Sequence, residues 1–345
     1  MERINAALIE RVGNGVDMAV VASEGLDEVG DMTTAVHVPL AKRPAFLRIA
    51  EFWFRGPTKR ELRFTGDLIH SCGAITRGGA DVVTVHLCHA AAEVSRGANE
   101  SWRYWNARIA RWLGRTMERR TFRLSRVGVL VAVSDAVAAE LRAHYPQMPV
   151  RVIYNGVDTS YFTRSDRTPT TTLRVLMVTG DFALKGVADA IRALSLATGP
   201  VTLTVVGNGP VEQYVALAES LGVANRVRFT GQLDDVRPEY ATHDVVLCLS
   251  SYESFGLYLV EAALSGCAVL ATDVGVAAQL IGENTGGMLI DPKPATLAEQ
   301  LSRWSGDIAT VQALGRVASE RAQRFSLERM VGEYESLYRE LVEVS

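Results

Sequence analysis

Short apolar runs rich in Val, Ile and Leu alternate along the chain with longer stretches whose apolar positions recur every three or four residues. The short runs fit strands covered on both faces, as in a parallel sheet, and the longer stretches fit the helices that cover them. In the first half they predict strands over 17–22, 33–38, 67–71, 81–86, 127–133 and 150–154. In the second half they predict strands over 173–179, 201–206, 226–230, 244–249, 268–272 and 288–291. This pattern argues an α/β protein. The polar stretch 163–172, which contains Pro169, reads as a linker. It separates a domain over 1–165 from one over 166–325, with a closing helical segment over 326–345. Open parallel sheets bind ligands beyond the carboxyl ends of their strands, so the strand-to-helix loops carry the search for chemistry.

The opening of the chain departs from this plan. Ile4, Leu8, Ile9 and Val12 give residues 1–12 a helical period at once. A doubly wound domain starts with a strand and a glycine-rich turn ahead of such a helix. The N-terminal domain is therefore expected to lack its first strand.

Composition narrows the class. A chain of 345 residues is long enough for two domains with separate cores. No apolar run approaches the ~18 residues of a membrane span, and Glu2, Arg3, Glu10, Arg11 and Asp17 rule out a secretory signal near the start. Cys72, Cys88, Cys248 and Cys267 are scattered through apolar contexts, which suits reduced thiols in a cytoplasmic protein. The net charge of −3 hides an asymmetry: residues 1–165 hold 22 Lys and Arg against 17 Asp and Glu, and the rest holds 14 against 22. A basic first half suits an anionic acceptor or an anionic lipid surface. Two basic-aromatic stretches, 42–60 and 102–126, sharpen that expectation toward peripheral contact with an anionic membrane. The alternative is a covering helix whose arginine stems lie on apolar surface. The acidic overall balance and the lack of a recognition module argue against nucleic acid.

Four segments carry candidate chemistry. Glu253 stands in the loop after the 244–249 strand, and Glu261 follows after seven residues, about two turns into the next helix. Gly256 and Leu257 mark that helix start, where backbone N–H groups favour a phosphate. Gly180 and Lys185 follow the 173–179 strand, with Gly186 beside them; a lysine at a helix start can meet a diphosphate as a point charge. Gly207 and Gly209 follow the 201–206 strand as a tight turn, and Asn155-Gly156-Val157-Asp158 precedes the linker. His86 ends the 81–86 strand. Each has a plainer account when read singly: solvent-facing glutamates, a surface lysine, ordinary Gly turns, a structural histidine. His70, Cys72, His86, Cys88 and His89 lie close in sequence, but their spacings fit no familiar zinc module.

Taken in register, these segments resemble the retaining glycosyltransferases of family 4, which have the GT-B fold of two Rossmann-like domains facing across a cleft. The resemblance covers nearly the whole chain and is strongest from about 150 to 292. It implies a hexosyltransferase whose donor is a UDP- or GDP-linked sugar and whose acceptor is a hydroxyl of a glycan, lipid or small metabolite, with no metal or other cofactor. It implies that Glu261 grips the ribose hydroxyls and Glu253 contacts the donor sugar. The amides around Ser254, Phe255, Gly256 and Leu257 meet sugar and phosphate, Lys185 and Gly180 face the diphosphate, and Gly207 lines the donor. His86 then hydrogen-bonds a donor-sugar hydroxyl. In the mechanism the resemblance implies, the acceptor attacks on the face the diphosphate leaves, and a diphosphate oxygen takes its proton. The chain departs from the family pattern in lacking an Arg between Val175 and Lys185, and in Asn208, Leu249, Ala268, Val276 and Gln279. The missing opening strand and the missing Arg near Lys185 support one alternative, a non-catalytic nucleotide-sugar-binding scaffold. A GT-B sugar-nucleotide epimerase is another, over which the Glu253–Glu261 spacing with Asn155-Gly156 favours the transferase.

Overall fold

In a computed structural model, every strand pairing among the described residues is parallel. Residues 8, 18–22, 33–37, 47, 51, 68–73, 80–91, 102–123, 127–164 and 170–343 are described. The chain forms two units, one of Met1–Gly156 with Leu327–Ser345 and one of Val157–Ser326.

In the first unit β1 (Met18–Ala22) pairs with β2 (Thr33–His37). A separate sheet runs β3-β4-β5-β6, from β3 (His70–Cys72), β4 (Val82–Val85), β5 (Val129–Ala132) and β6 (Val150–Val152). All four residues of β4 and of β5 are buried, as strands covered on both faces require. The third strand begins later than the apolar run suggests. The Ile69 N–H donates to the Asp81 side chain over 2.9 Å and the Ile69 carbonyl accepts from Asp81 and Val82, so the ladder starts at His70. Helix α1 (Trp102–Arg123) precedes β5, and α2 (Asp135–His144) follows it. The Ser134 hydroxyl caps α2 by accepting from the Val137 N–H. Of the expected N-terminal helix only Leu8 is described, and it is helical; the rest lies outside the described residues. The same holds for the 42–60 stretch, apart from Leu47 and Glu51, and for 165–169 of the expected linker.

The second unit holds a six-stranded sheet in the order β12-β11-β10-β7-β8-β9. Its strands are β7 (Leu173–Val178), β8 (Val201–Val206), β9 (Val227–Gly231), β10 (Val245–Cys248), β11 (Ala268–Ala271) and β12 (Gly287–Leu289). Between them lie α3 (Val187–Leu196), α4 (Val211–Ser220), α5 (Arg237–Thr242), α6 (Leu257–Leu264) and α7 (Ala277–Ile281). Helices α8 (Pro294–Ser305) and α9 (Ile308–Ala322) follow. Alternate residues of β7, β8 and β10 interlock with Ile191, Leu194, Leu297 and Leu301 to make the core. At the opposite end of β7, the buried Asp244 carboxylate accepts from the Arg174 backbone N–H, Nε and Nη2. The last strand starts one residue early, at a glycine that an apolar pattern does not count: a Cβ on Gly287 would lie 1.9 Å from the Val269 carbonyl oxygen.

The chain then returns to the first unit as α10 (Leu327–Glu343). Its Tyr338 hydroxyl meets His70 Nδ1 at 2.6 Å, and its Tyr334 hydroxyl meets Thr84 Oγ1 at 2.7 Å. His70 Nε2 closes the network on Thr84 Oγ1 at 2.7 Å, and burial lowers the His70 pKa to about 4. Arg151 adds a two-pronged pair with Glu340 on the surface.

Candidate functional site

From β7 the chain goes to β8 and β9 on one side, then returns to β10 on the other side of β7. The loops leaving β7 and β10 therefore diverge at a topological switch point, the standard place for a ligand crevice in an open α/β sheet. Lys185 comes from the first loop and Glu253 from the second. Lys185 Nζ donates to Glu253 Oε2 in a short ion pair, and both side chains are largely buried. The ammonium also lies 5.4 Å from the centre of the Tyr258 ring.

The helices on either side of the switch point begin alike. Gly186 precedes α3 and Gly256 precedes α6, both in the left-handed region, at φ 71° and 89°. Neither supplies a side-chain oxygen. At α3 the Val187 N–H donates to the Phe182 carbonyl and the Asp189 N–H to the Gly186 carbonyl, and at α6 the Leu259 N–H donates to the Gly256 carbonyl. The donor capacity of a helix start therefore rests on Leu257 and Tyr258 of α6 more than on α3. Gly186 has a second reason to be glycine: a Cβ would fall 2.8 Å from the Leu249 Cβ, where the two loops pack together. The first loop is shaped by Asp181, whose carboxylate accepts from the Leu184 N–H and whose backbone N–H donates to Thr179 Oγ1. Gly180 has open space where a Cβ would be.

Gly207 is placed by backbone, at φ 131° and with its N–H on the Gly231 carbonyl. A Cβ there would lie 1.8 Å from the Thr179 carbonyl oxygen, and one on Gly209 would enter the Phe182 ring at 2.5 Å. Phe182 itself is buried against Tyr214 and Phe229. These glycines hold the β7 and β8 loops close together.

Glu261 lies one turn inside α6, half-buried, and its Oε2 accepts from the Tyr240 hydroxyl over 2.9 Å. Tyr240 is buried, with its ring edge toward Phe162. Tyr240 carries no signal in the hydrophobic pattern, because α5 is only six residues long and shows little periodicity. Gly275 was missed as well. A Cβ there would lie 2.2 Å from the Phe255 carbonyl oxygen, so this glycine lets the loop before α7 cross the start of α6. The Val276 N–H donates to that same carbonyl.

In the first unit His86 follows β4, half-buried; its Nε2 is buried without a hydrogen-bond partner among the described residues. Burial lowers its pKa to about 4, so the ring is neutral near pH 7. The loop beyond is tied down by Glu118 of α1, which accepts from the N–H groups of His89 and Ala90 and from the Tyr145 hydroxyl. Burial pushes the Glu118 carboxyl up to about 7.

Two parallel-sheet α/β units, consistent with two Rossmann-like domains, fit the GT-B class, and solved structures share that fold. WaaG, a glycosyltransferase involved in lipopolysaccharide biosynthesis, aligns over 97% of this chain and 95% of its own, with a TM-score of 0.74 at 23% identity. Anabaena HepE in complex with UDP and glucose aligns over 98% and 95%, with a TM-score of 0.69 at 19% identity. The family model Glycosyltransferase Family 4 matches residues 5–161, and Glycosyl transferases group 1 matches residues 162–321. The chain belongs to the family 4, group 1 glycosyltransferases. Among curated relatives, the N-acetyl-alpha-D-glucosaminyl L-malate synthase of Bacillus anthracis is 28% identical over 63% of this chain and 61% of its own length. The D-inositol 3-phosphate glycosyltransferase of Corynebacterium diphtheriae is 38% identical over 37% of this chain and 31% of its own. The chain thus spans between about a third and three fifths of these relatives' length.

Proposed function

We propose that this chain is a retaining glycosyltransferase that moves a hexose from a nucleoside-diphosphate sugar to an acceptor hydroxyl. The observation that carries the proposal is the meeting of Lys185 and Glu253 across the switch point, between two helix starts that no side chain caps. A diphosphate suits the ammonium and the backbone N–H groups around Gly180, Gly256 and Leu257. A carboxylate accepts hydrogen bonds only, so Glu253 suits sugar hydroxyls and Glu261 the paired hydroxyls of ribose. Ser254 and Phe255 contribute backbone to the same loop, and Gly207 keeps the neighbouring turn close. The neutral His86 ring, whose Nε2 has no hydrogen-bond partner among the described residues, suits a donor-sugar hydroxyl. No side chain is assigned as a nucleophile: the acceptor attacks as the diphosphate leaves, and a diphosphate oxygen takes the proton. No metal is proposed.

For the acceptor we favour a small hydroxylated anion, because one relative is named for L-malate and another for D-inositol 3-phosphate. The positive balance of residues 1–165 agrees with that chemistry. A peripheral contact with anionic membrane is the second reading; exposed Trp112 of α1, between exposed Arg108 and Arg115, supports it. The first test is thermal stabilisation by a panel of UDP-, GDP- and ADP-sugars. A selective shift with one donor supports the proposal, because a ligand that binds only the folded state raises its stability. No shift with any donor refutes it.

A further inference from the structure

Lys185 faces two claims. The proposed reaction needs it at a diphosphate, yet in the structure its ammonium is held by the Glu253 carboxylate. No arginine occurs between Val175 and Lys185, so Lys185 is the cation of the β7 loop. Both partners are largely shielded from water, where a charge pair is felt more strongly than on an open surface. The two residues come from different loops, which pack together where Gly186 meets Leu249. We infer that Glu253 is an internal counter-ion for Lys185, exchanged when donor binds, and that this exchange makes the site favour the sugar-bearing nucleotide over the spent one. The inference rests on the donor-site reading above.

The sign of the effect follows from what replaces each half of the pair. When a nucleoside-diphosphate sugar arrives, the diphosphate takes over Lys185. The sugar then offers hydroxyl donors to Glu253, so the carboxylate trades one partner for others it accepts well. A nucleoside diphosphate without its sugar also takes Lys185, but it leaves Glu253 as a bare carboxylate beside a second anion. That arrangement is unfavourable in a shielded site, and re-forming the Lys185–Glu253 pair helps to expel the nucleotide. Glu253 is thereby a specificity residue that acts against product as well as for donor.

Titration calorimetry on the full chain tests this, using UDP, GDP and ADP and their glucose-bearing forms with wild type, Glu253→Gln and Lys185→Met. Glu253→Gln keeps the shape and removes the charge. It is expected to bind the preferred nucleoside diphosphate about tenfold tighter than wild type, with no such gain for the nucleotide sugar. Glu253→Ala should move in the same direction, and Lys185→Met should weaken both ligands. Denaturation without nucleotide should also show coupling between the Lys185 and Glu253 substitutions in a double-mutant cycle. The exchange is overturned on its own if wild type binds nucleoside diphosphate and neither Glu253 variant binds it more tightly. If wild type binds no nucleotide of any kind, the donor-site reading falls and the exchange falls with it.

Discussion

Replacing Tyr240 by Phe removes one oxygen from a buried position. The Tyr240 hydroxyl donates to Glu261 Oε2 over 2.9 Å, while the ring stays packed at 6.1 Å from Phe162. The substitution therefore isolates the hydrogen bond from the packing. A hydrogen bond to a charged group contributes about 1.5–3 kcal/mol. Glu261 is half-buried, so water can replace part of what is lost, and the lower end, about 1.5 kcal/mol, is expected. Urea unfolding should show that loss as a lower midpoint with an unchanged slope. A second effect follows if Glu261 holds ribose. With one tether gone, the carboxylate samples more rotamers and the donor must order it on binding, so donor affinity should fall about 3- to 10-fold. Titration with the preferred nucleotide sugar reads this directly. A loss of stability with unchanged affinity would refute the ribose role of Glu261. If stability also stays unchanged, the Tyr240–Glu261 bond has no energetic weight.

Three other outcomes follow from the packing. Gly207→Ala puts a Cβ 1.8 Å from the Thr179 carbonyl oxygen at a φ of 131°, so it should cost about 3 kcal/mol; a melting temperature within about 2 °C of wild type would contradict this. Asp244→Asn takes the charge from a buried carboxylate that holds Arg174 at three points, and chemical denaturation should show a loss of about 3 kcal/mol. The neutral His70 ring, with its pKa lowered to about 4 by burial, contributes stability that is complete above the unfolded value of 6.5. That contribution is lost as pH falls from 6.5 through 4, by up to about 3 kcal/mol, because the unfolded chain takes the proton first. Replacing His70 by Gln should flatten the pH dependence of unfolding in that window, and an unchanged profile would show that His70 does not set it.

The strands were legible because a parallel sheet covered on both faces leaves nearly continuous apolar runs, as in β4, β5, β10 and β11. Their edges were less legible where side chains and glycines decide them, as Asp81 does for β3 and Gly287 for β12. Lys185 and Glu253 were legible because each follows a strand and precedes a helix. Their mutual contact was not: they are sixty-eight residues apart, and only the sheet order brings their loops together. Tyr240, Gly275 and the Tyr334–Thr84–His70 network were hidden for the same reason. Each depends on which distant segments touch, and periodicity does not encode that.

Val157 and Ser326, the first and last residues of the second unit, lie side by side in a parallel bridge, and the Val157 N–H donates to the Phe325 carbonyl. The two ends of that unit are neighbours, so it forms a closed excursion from a host built of two sequence-distant pieces. On the ribosome the consequence is an inverted order of assembly. Residues 157–326 emerge complete and can fold as a body, whereas the sheet of the first unit, although synthesised earlier, still awaits Tyr334 and Tyr338 from α10. Strands β3 and β4 are therefore finished after the later-made unit, and until then Thr84 and His70 lack the tyrosine partners that close their network.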